Sequence, residues 1–330
     1  MQFGPVPLDA AIGAILAHSV ALPEGRLRKG KWLTAADIAA LRAAGLAQVT
    51  VARLDATDLH EDAAAARIAA ALVPDPVGQG LRLGPAATGR VNIFATGPGL
   101  AQINAAAIRA LNRVNPMITL ATVAPWQRLQ AGDMLATVKI IAYGLPAADV
   151  SRAERAGTAA LALARPAFAS ASLIETTTTG ALPALKGREA LRTRLTRLGL
   201  GLGARVVVAH SVAALAGAIA AAPGEVIFIL AASATSDPCD VAPEGLRRAG
   251  GQVQHFGLPV DPGNLLFFGS LGNRPVIGLP GCARSPVMNG ADWVLERLIC
   301  AVPLTDDDIA AMGVGGLLKE IPIRPRPRET

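Results

Sequence analysis

The sequence predicts an α/β protein: a mostly parallel sheet covered by helices on both faces, in a three-layer αβα arrangement, preceded by a smaller N-terminal α+β region. Three observations predict it. Apolar segments of strand length alternate with helical segments between about residues 166 and 303, which is typical of parallel sheets. The 330 residues are enough for about two domains. Hydrophobic residues make up 52% of the chain and aromatic residues only 3%, so Ala, Leu and Val fill the predicted core.

The chain divides into three predicted regions. Residues 1–165 form the α+β region, residues 166–303 form the α/β domain, and residues 304–330 form a C-terminal extension. The end of that extension, from Lys319 to Thr330, alternates proline and arginine and is predicted to be extended and basic. The segment 146–159 is the best candidate for a linker between the first two regions.

The N-terminal region contains a helix predicted to begin after Thr34. The Thr34 hydroxyl can cap the first N–H groups of that helix, and Asp37 stands three positions further on, as in a capping box. A second helix is predicted over residues 61–72, followed by the helix breaker Pro74. The other predicted elements are a helix at 102–112 and strands at 49–51, 91–95, 118–122 and 134–142.

The α/β domain is predicted from its alternating elements. Strands are expected at residues 169–176, 205–209, 226–231, 265–268 and 275–279. Helices are expected at residues 186–198, 212–222, 241–249 and 286–300. Ligands of parallel α/β sheets bind beyond the carboxyl ends of the strands. We therefore expect three loops to converge at that edge, at residues 176–180, 232–240 and 281–285.

The composition narrows the class of partner. The net charge of +6 favours acidic partners such as phosphorylated metabolites. Aromatic residues are scarce, and Tyr143 is the single tyrosine, which argues against nucleic-acid recognition by base stacking. The longest apolar run, near residues 206–222, is interrupted by His210 and Ser211, so no membrane span is predicted. The three cysteines have no CxxC spacing and the N-terminus has no signal-peptide pattern, so a cytoplasmic protein is predicted.

The loop at residues 281–285 has the composition of an anion site. Gly281 follows a short apolar strand, and the turn leads into the helix predicted from residue 286. Unpaired N–H groups at a helix N-terminus attract anions. Arg284 and Ser285 add two side chains that bind phosphate oxygens well. The sequence therefore predicts an anionic small molecule here. The alternative is an ordinary turn with a surface arginine and a serine cap.

Two other loops carry candidate ligand groups. The first offers hydroxyl and N–H groups from Thr176, Thr178, Thr179 and Gly180. The alternative for this loop is a β-branched run that ends a buried strand. The second loop carries Asp237 and Asp240, spaced so that both carboxylates can face one Mg²⁺ whose other ligands are water and phosphate. The alternative for Asp240 is that it caps the helix predicted at 241–249.

Several of these segments also resemble a known family. After Pro262-Gly263 the chain reads LLFFGSLG and then PVIGLPG, close to the family pattern LLFGxLG and PVxGLPG, while ASLIETTTTGAL and AASATSDPCD match two further segments less fully. Residues 166–303 thus resemble the molybdopterin-binding domain of molybdenum cofactor biosynthesis proteins, which include molybdopterin adenylyltransferases and molybdotransferases. Part of residues 18–53 is more weakly similar to the segment that precedes this domain in molybdotransferases.

The resemblance implies a ligand and a set of roles. It implies that the chain binds molybdopterin, a phosphorylated pterin, with Ser233, Pro262 and Gly263 among the binding residues. It implies that Asp240 is the carboxylate associated with magnesium and with catalysis. Cys282 is either a sulfur ligand of molybdenum or a small buried side chain. Related molybdotransferases are typically dimers, so a homodimer is expected.

The chain departs from the family pattern at three places. Ala231-Ala232-Ser233 stands where Ser-Gly-Gly is usual, Asn264 replaces a frequent lysine, and Cys282-Ala283 stands where Asn-Pro is common. Two hypotheses therefore stay open. The protein either inserts molybdate into adenylylated molybdopterin, or it carries the cofactor to a nucleotidyltransferase or a molybdoenzyme without catalysis. A basic nucleic-acid-binding or scaffold protein is a third hypothesis, which the scarcity of aromatic residues disfavours.

Overall fold

The computed structural model describes residues 1–318, so the predicted tail from Lys319 to Thr330 lies outside the described residues. Within the described part the chain is a mixed α/β protein with twenty strands and nine α-helices. None of those helices combines the length and the apolar composition needed to cross a bilayer. The chain separates into two compact units: residues 1–97 with 101–163, and residues 98–100 with those from 164 onward.

The first 164 residues contain short strands and four helices. The strands are β1 (Gln2–Pro7), β2 (Ile15–Leu16), β3 (Val20–Leu22), β4 (Gly25–Leu27), β5 (Gln48–Arg53), β6 (Asp58–His60), β7 (Leu81–Leu83), β8 (Arg90–Ala95), β9 (Gly99–Ile103), β10 (Ile118–Thr122), β11 (Arg128–Leu129), β12 (Met134–Ile140), β13 (Gly144–Pro146) and β14 (Leu161–Ala164). The helices are α1 (Ala35–Ala43), α2 (Glu61–Leu72), α3 (Ala105–Asn112) and α4 (Ala147–Gly157).

The largest core of the first unit lies between α2 and an antiparallel sheet of order β10-β12-β8-β7. On β8 the alternate residues Val91, Ile93 and Ala95 are buried, as expected for a strand with one face covered. Ile68 and Leu72 of α2 are fully buried against them. Each such side chain stabilises the fold by about 1.5–3 kcal/mol. The predicted bounds of α2, residues 61–72, are confirmed.

Helix α1 begins where its sequence predicts. The Thr34 hydroxyl accepts a hydrogen bond from the Asp37 N–H at 3.3 Å, and the Asp37 carboxylate accepts one from the Thr34 N–H at 3.0 Å. These reciprocal bonds form a capping box, and they satisfy two N–H groups that have no partner within the helix.

The linker predicted at residues 146–159 is wrong, because this segment forms helix α4. Val150, Ala153 and Gly157 recur at helical spacing and are buried, while the two arginines between them are exposed and Glu154 pairs with Arg67. A Cβ atom at Gly157 would lie 2.6 Å from a Leu111 methyl carbon, so the helix packs closely at this point. The apolar stripe is narrow and made of small residues. The segment is otherwise polar and follows a proline, so the helix was not recognised from the sequence.

The second unit is built on a six-stranded sheet. Its strands are β15 (Ser170–Thr177), β16 (Gly201–Ala209), β17 (Val226–Leu230), β18 (Gln252–Leu258), β19 (Asn264–Leu271) and β20 (Arg274–Gly278). Its helices are α5 (Lys186–Thr196), α6 (Val212–Ala221), α7 (Val241–Arg248), α8 (Gly290–Ile299) and α9 (Asp306–Ala311). The spatial order of the strands is β16-β15-β17-β20-β19-β18.

The first four of these neighbouring strands are parallel, whereas β19 and β18 are antiparallel additions at one edge. The two residues Gly272 and Asn273 connect β19 to β20, and so short a connection is only compatible with an antiparallel hairpin. Helices α6 and α7 cover one face of the sheet through Leu215, Ile219 and Leu246. Helix α5 contacts β16, and α8 contacts β20. The edge strand β18 was not predicted from the sequence.

Candidate functional site

The carboxyl end of β15 and the loops after two further parallel strands are in contact. The backbone N–H of Ala232, after β17, donates to the Thr176 hydroxyl of β15 at 2.8 Å. The Arg284 guanidinium, after β20, donates to the carbonyl oxygen of Ala231 at 2.8 Å. The end of β15 and the loops that follow β17 and β20 therefore meet at one edge of the sheet, because parallel strands end on the same side.

A pocket of about 340 Å³ opens at this edge. Three segments line it: residues 230–235 after β17, residues 261–265 at the start of β19, and residues 279–284 after β20. Because β19 is antiparallel to β20, its first residues lie at the same edge as the last residues of β20. The volume lies within the range of sites that bind small molecules.

Arg284 is the cationic side chain of the pocket lining. One of its terminal nitrogens donates to Ala231, and within residues 1–318 its other N–H groups have no protein acceptor. The side chain runs over Gly187, where a Cβ atom would lie 3.4 Å from Arg284 Cγ and 2.6 Å from a Leu230 methyl carbon. Glycine at position 187 thus allows Arg284 and Leu230 to approach α5. The remaining guanidinium donors can bind an anionic ligand.

The turn before β19 has an unusual backbone. Asp261 has a φ of 44° and Gly263 a φ of 90°, both in the left-handed region, and the Asp261 N–H donates to Gly316 O at 2.7 Å. Asn264 is buried, with its Oδ1 accepting the Leu266 N–H at 3.3 Å. Among the described residues its Nδ2 has no partner. Strained backbone and unsatisfied buried groups are concentrated at functional sites, so this turn is a strong candidate for ligand contact.

The predicted helix N-terminus at residue 286 is wrong. Residues Gly281–Arg284 form a single 3-10 turn, and α8 begins only at Gly290. The helix is capped by Asn289, whose side chain accepts a backbone N–H, and by Asp292, which accepts the Asn289 N–H at 2.8 Å. These caps satisfy N–H groups at the start of α8, which lies beyond the loop at 281–285. The loop at 281–285 therefore offers side chains rather than a helix dipole.

The predicted site residues divide into two groups. Six of them line the pocket: Ser233, Pro262, Gly263, Gly281, Cys282 and Arg284. Seven do not: Thr176, Thr178, Thr179, Gly180, Asp237, Asp240 and Ser285. Thr176 is 1% exposed and lies behind Ala232. The three residues after Thr177 are exposed, and the Ser285 hydroxyl accepts the Val287 N–H at 3.3 Å.

A polar chain runs behind the pocket wall. The Thr176 hydroxyl, which accepts the Ala232 N–H, lies 2.9 Å from His210 Nδ1. These two contacts link His210 to the backbone of the pocket wall through the Thr176 hydroxyl, so His210 supports a pocket residue.

The two predicted magnesium ligands both bind backbone N–H groups. Asp240 caps α7: its two oxygens accept the N–H groups of Val241 at 2.6 Å and Ser236 at 3.0 Å. Asp237 accepts the Cys239 N–H at 2.7 Å. Residues 1–318 hold no group of three or more His, Cys, Asp or Glu side chains arranged for a metal ion. These residues alone do not make a complete cation site, and magnesium binding stays a prediction.

The sequence did not reveal one residue that shapes the pocket wall. Arg194 of α5 is 3% exposed and forms an ion pair with Asp292, with 2.6 Å between Arg194 Nε and Asp292 Oδ1. Its guanidinium also donates to carbonyl oxygens of the loop that carries Arg284. One signal was present in the sequence: Arg194 follows the buried residues Ala190 and Leu191 at helical spacing and therefore lies on the covered side of α5.

Comparison with known proteins gives limited matches. Residues 5–53 match a family model described as a domain of unknown function (DUF8806). No curated protein matches the chain. A crystal structure of a molybdopterin biosynthesis MoeA protein from Pyrococcus horikosii is similar, with 14% sequence identity, 91% of this chain and 75% of that chain covered, and a TM-score of 0.32. With so low a score, this similarity establishes neither the fold nor the activity of the present chain.

Proposed function

We propose that this chain binds molybdopterin in the pocket at the carboxyl edge of its six-stranded sheet and acts in molybdenum cofactor biosynthesis. One observation carries the proposal. The Pro-Gly turn, the loop after β17 and the loop after β20 are three of the segments that resemble the molybdopterin-binding family, and these three line one pocket, whereas the segment ASLIETTTTGAL does not. Residues 166–303 would be the molybdopterin-binding domain, with a three-layer architecture, and residues 1–165 an accessory region.

The lining residues suit a phosphorylated pterin. The guanidinium of Arg284 would bind the phosphate, because a planar fork of N–H donors matches phosphate oxygens. Ser233 and the backbone of Pro262, Gly263 and Gly281 would contact the pterin rings, since small residues permit close approach. Cys282 also lines the pocket, where its sulfur would face the molybdenum-binding side of the ligand.

The proposal can be tested by titrating the purified protein with molybdopterin under anaerobic conditions and measuring the heat of binding. We expect saturable binding of one pterin per chain. In a matched titration, a pterin that lacks the phosphate should bind more weakly, because the contact with Arg284 is lost. Equal affinity for the two ligands would contradict the placement of the phosphate. The oligomeric state, expected to be a homodimer, can be measured in the same preparation.

Two activities are compatible with this site. As a molybdotransferase, the protein would cleave adenylylated molybdopterin, release AMP and leave molybdenum on the dithiolene, with Asp237, Asp240 and Mg²⁺ near the phosphates. As a carrier, it would deliver the cofactor to a nucleotidyltransferase or a molybdoenzyme. The local hydrogen bonds of both carboxylates favour the carrier. Incubation with adenylylated molybdopterin, molybdate and Mg²⁺ distinguishes the two, since only the transferase releases AMP.

A further inference from the structure

We propose that Arg194 is the positioning residue of the pocket: it holds the loop that carries Cys282 and Arg284 in the geometry that binds ligand. Only the expected effect on ligand affinity rests on the proposed function, because the effect on the loop itself can be measured without any ligand. Arg194 lies on α5, outside the pocket lining, and is 3% exposed.

The guanidinium of Arg194 donates hydrogen bonds to one loop and to the helix that follows it. Nε donates to Asp292 at 2.6 Å, and Nη1 donates to the carbonyl oxygen of Ala283 at 2.9 Å. Nη2 donates to the carbonyl oxygens of Ser285 at 2.8 Å and Val287 at 3.1 Å. A single buried side chain thus binds three alternate carbonyl groups and the carboxylate at the start of the next helix. Arginine provides this because its five N–H donors have a fixed planar arrangement.

The loop has few other interactions that fix it. Its own backbone bonds are those of the 3-10 turn, from the Ala283 N–H to Pro280 O and from the Ser285 N–H to Cys282 O, each 3.0 Å long. Beyond Ser285, the side chains of Val287 and Met288 are 64% and 60% exposed. They bury little apolar surface, so hydrophobic packing contributes little beyond Ser285, whereas Ala283 within the turn is buried. Arg194 supplies donors to the carbonyl groups of Ala283 and Ser285, and the Val287 carbonyl also accepts a hydrogen bond from Asn289 Nδ2 at 3.2 Å.

The same contacts determine where Arg284 points. Arg284 stands between Ala283 and Ser285, and Arg194 binds the carbonyl groups of both neighbours. The backbone on each side of Arg284 is therefore fixed from α5, and its guanidinium is directed to Ala231 O. If the loop lost these contacts, the side chains of Arg284 and Cys282 would move out of the pocket wall, although neither residue had been changed.

The cysteines of the chain provide a test. Cys282 lies on the loop and is partly exposed, Cys239 is exposed on the loop before α7, and Cys300 is buried near the end of α8. Burial raises the pKa of the Cys300 thiol to about 12, so it should not react in the folded protein. The alkylation rate of Cys282 by iodoacetamide, measured by peptide mass spectrometry, reports on this loop, and Cys239 reports on a loop that Arg194 does not touch.

We expect Arg194→Lys to increase the alkylation rate of Cys282 on the order of tenfold, because a single ammonium cannot replace the planar fork and the loop opens more often. The rate of Cys239 should stay unchanged. The second variant, Arg194→Met combined with Asp292→Asn, removes both buried charges and leaves neither one unpaired. It should therefore fold even if the first variant does not, so the test can still be made. Equal Cys282 rates in the wild type and in a folded variant would overturn the proposal.

The ligand part of the test is separate. In the wild type, molybdopterin should protect Cys282 from alkylation, and failure of this protection would contradict the proposed function while leaving the comparison of free proteins valid. In the variants we expect the concentration of pterin needed for protection to increase on the order of tenfold, since the loop must be ordered before it binds. Protection at the wild-type concentration in a variant with a reactive Cys282 would overturn the link between Arg194 and binding.

Discussion

At the scale of single residues, Arg284 combines one fixed contact with several donors that a ligand can use. The hydrogen bond to Ala231 O orients the guanidinium, and the close packing over Gly187 limits its movement. A side chain held in this way loses less conformational entropy on binding than a free surface arginine. This is why a single cation can be sufficient for a phosphate at this site.

The substitution Arg284→Ala should weaken molybdopterin binding by about 1–3 kcal/mol, the contribution of a hydrogen bond to a charged group. Calorimetric titration of both proteins measures this difference. Arg192→Ala is a matched control, because Arg192 lies on α5, where it pairs with the exposed Glu189 at 2.7 Å and does not line the pocket. Loss of affinity in the control, or none in Arg284→Ala, would contradict the role of Arg284.

The substitution Gly187→Ala tests the packing below Arg284. The added Cβ would lie 2.6 Å from a Leu230 methyl carbon, and this overpacking should cost about 1–3 kcal/mol of unfolding free energy, partly offset by the higher helix propensity of alanine. Urea unfolding measures this loss. Gly217→Ala in α6 is the control, since no atom lies within 4 Å of its added Cβ. In a helix, alanine is better than glycine by about 1 kcal/mol, so the control should be at least as stable as the wild type.

At the scale of elements, the residue that caps helix α7, Asp240, is also a candidate ligand of magnesium. One carboxylate oxygen of Asp240 caps this helix at the Val241 N–H, and the other accepts the Ser236 N–H of the preceding loop. We expect Asp240→Ala to decrease the unfolding free energy by about 0.5–2 kcal/mol, and Asp240→Asn to decrease it less, because asparagine keeps the helix cap and loses only the acceptor for Ser236. Thermal unfolding measures both variants.

The AMP-release assay then separates the two roles of Asp240. If the protein is a transferase that uses this carboxylate with magnesium, Asp240→Asn should release no AMP although the variant remains folded. Wild-type AMP release by Asp240→Asn would show that capping is the whole function of the residue. A wild type without AMP release would favour the carrier, and the stability prediction would be unaffected.

Most elements of the second unit could be predicted because their sequence signals are local. Strand β17 is an unbroken apolar run, as a parallel strand buried on both faces requires, and Asp240 marks the start of α7. The start of α8 was misplaced because the helix begins at Gly290, four residues after Pro286, which also looked like a start. Edge strand β18 has weaker signals, since Gly257 interrupts it and six of its seven residues are exposed to some extent.

The candidate site was predictable in part. The motif around Pro262 and Gly263 indicated one wall of the pocket, and the βα pattern indicated the edge of the sheet where it lies. Asp261 and Asn264 were not predicted, because a left-handed backbone and an unsatisfied buried amide are consequences of tertiary structure. The threonine loop after β15 was expected in the lining but lies outside it, and Thr176 at the end of β15 is placed behind Ala232.

At the scale of the whole molecule, carboxyl groups whose ionised form is stabilised in the folded state make the stability of the fold depend on pH. Hydrogen bonds from the Thr305 side chain and backbone lower the pKa of Asp308, and the N–H of Ala169, with Ser170, lowers the pKa of Glu225. A carboxyl group with a lower pKa in the folded state stabilises the fold above its unfolded pKa. That stability is lost as the pH falls through the folded pKa.

We therefore expect the melting temperature to decrease as the pH is lowered below about 4, the ordinary range of these carboxyl groups. Asp308→Asn should show a shallower decrease than the wild type, because one of the groups that takes up a proton on unfolding is gone. Calorimetric melting between acidic and neutral pH measures both curves. Parallel curves for the two proteins would contradict a contribution from Asp308.

The two-residue turn at Gly272 and Asn273 has a consequence for how the pocket can adapt. Two of the three walls extend from the two ends of one hairpin, whose strands are paired from Phe267 with Gly278 to Leu271 with Arg274. Interstrand hydrogen bonds therefore hold the bases of these walls about 4.8 Å apart, while the lining residues themselves lie beyond the paired ones. A bulkier guest must be accommodated by the loops and not by the strands below them, and selection for ligand size should therefore act on the loops that follow β17 and β20.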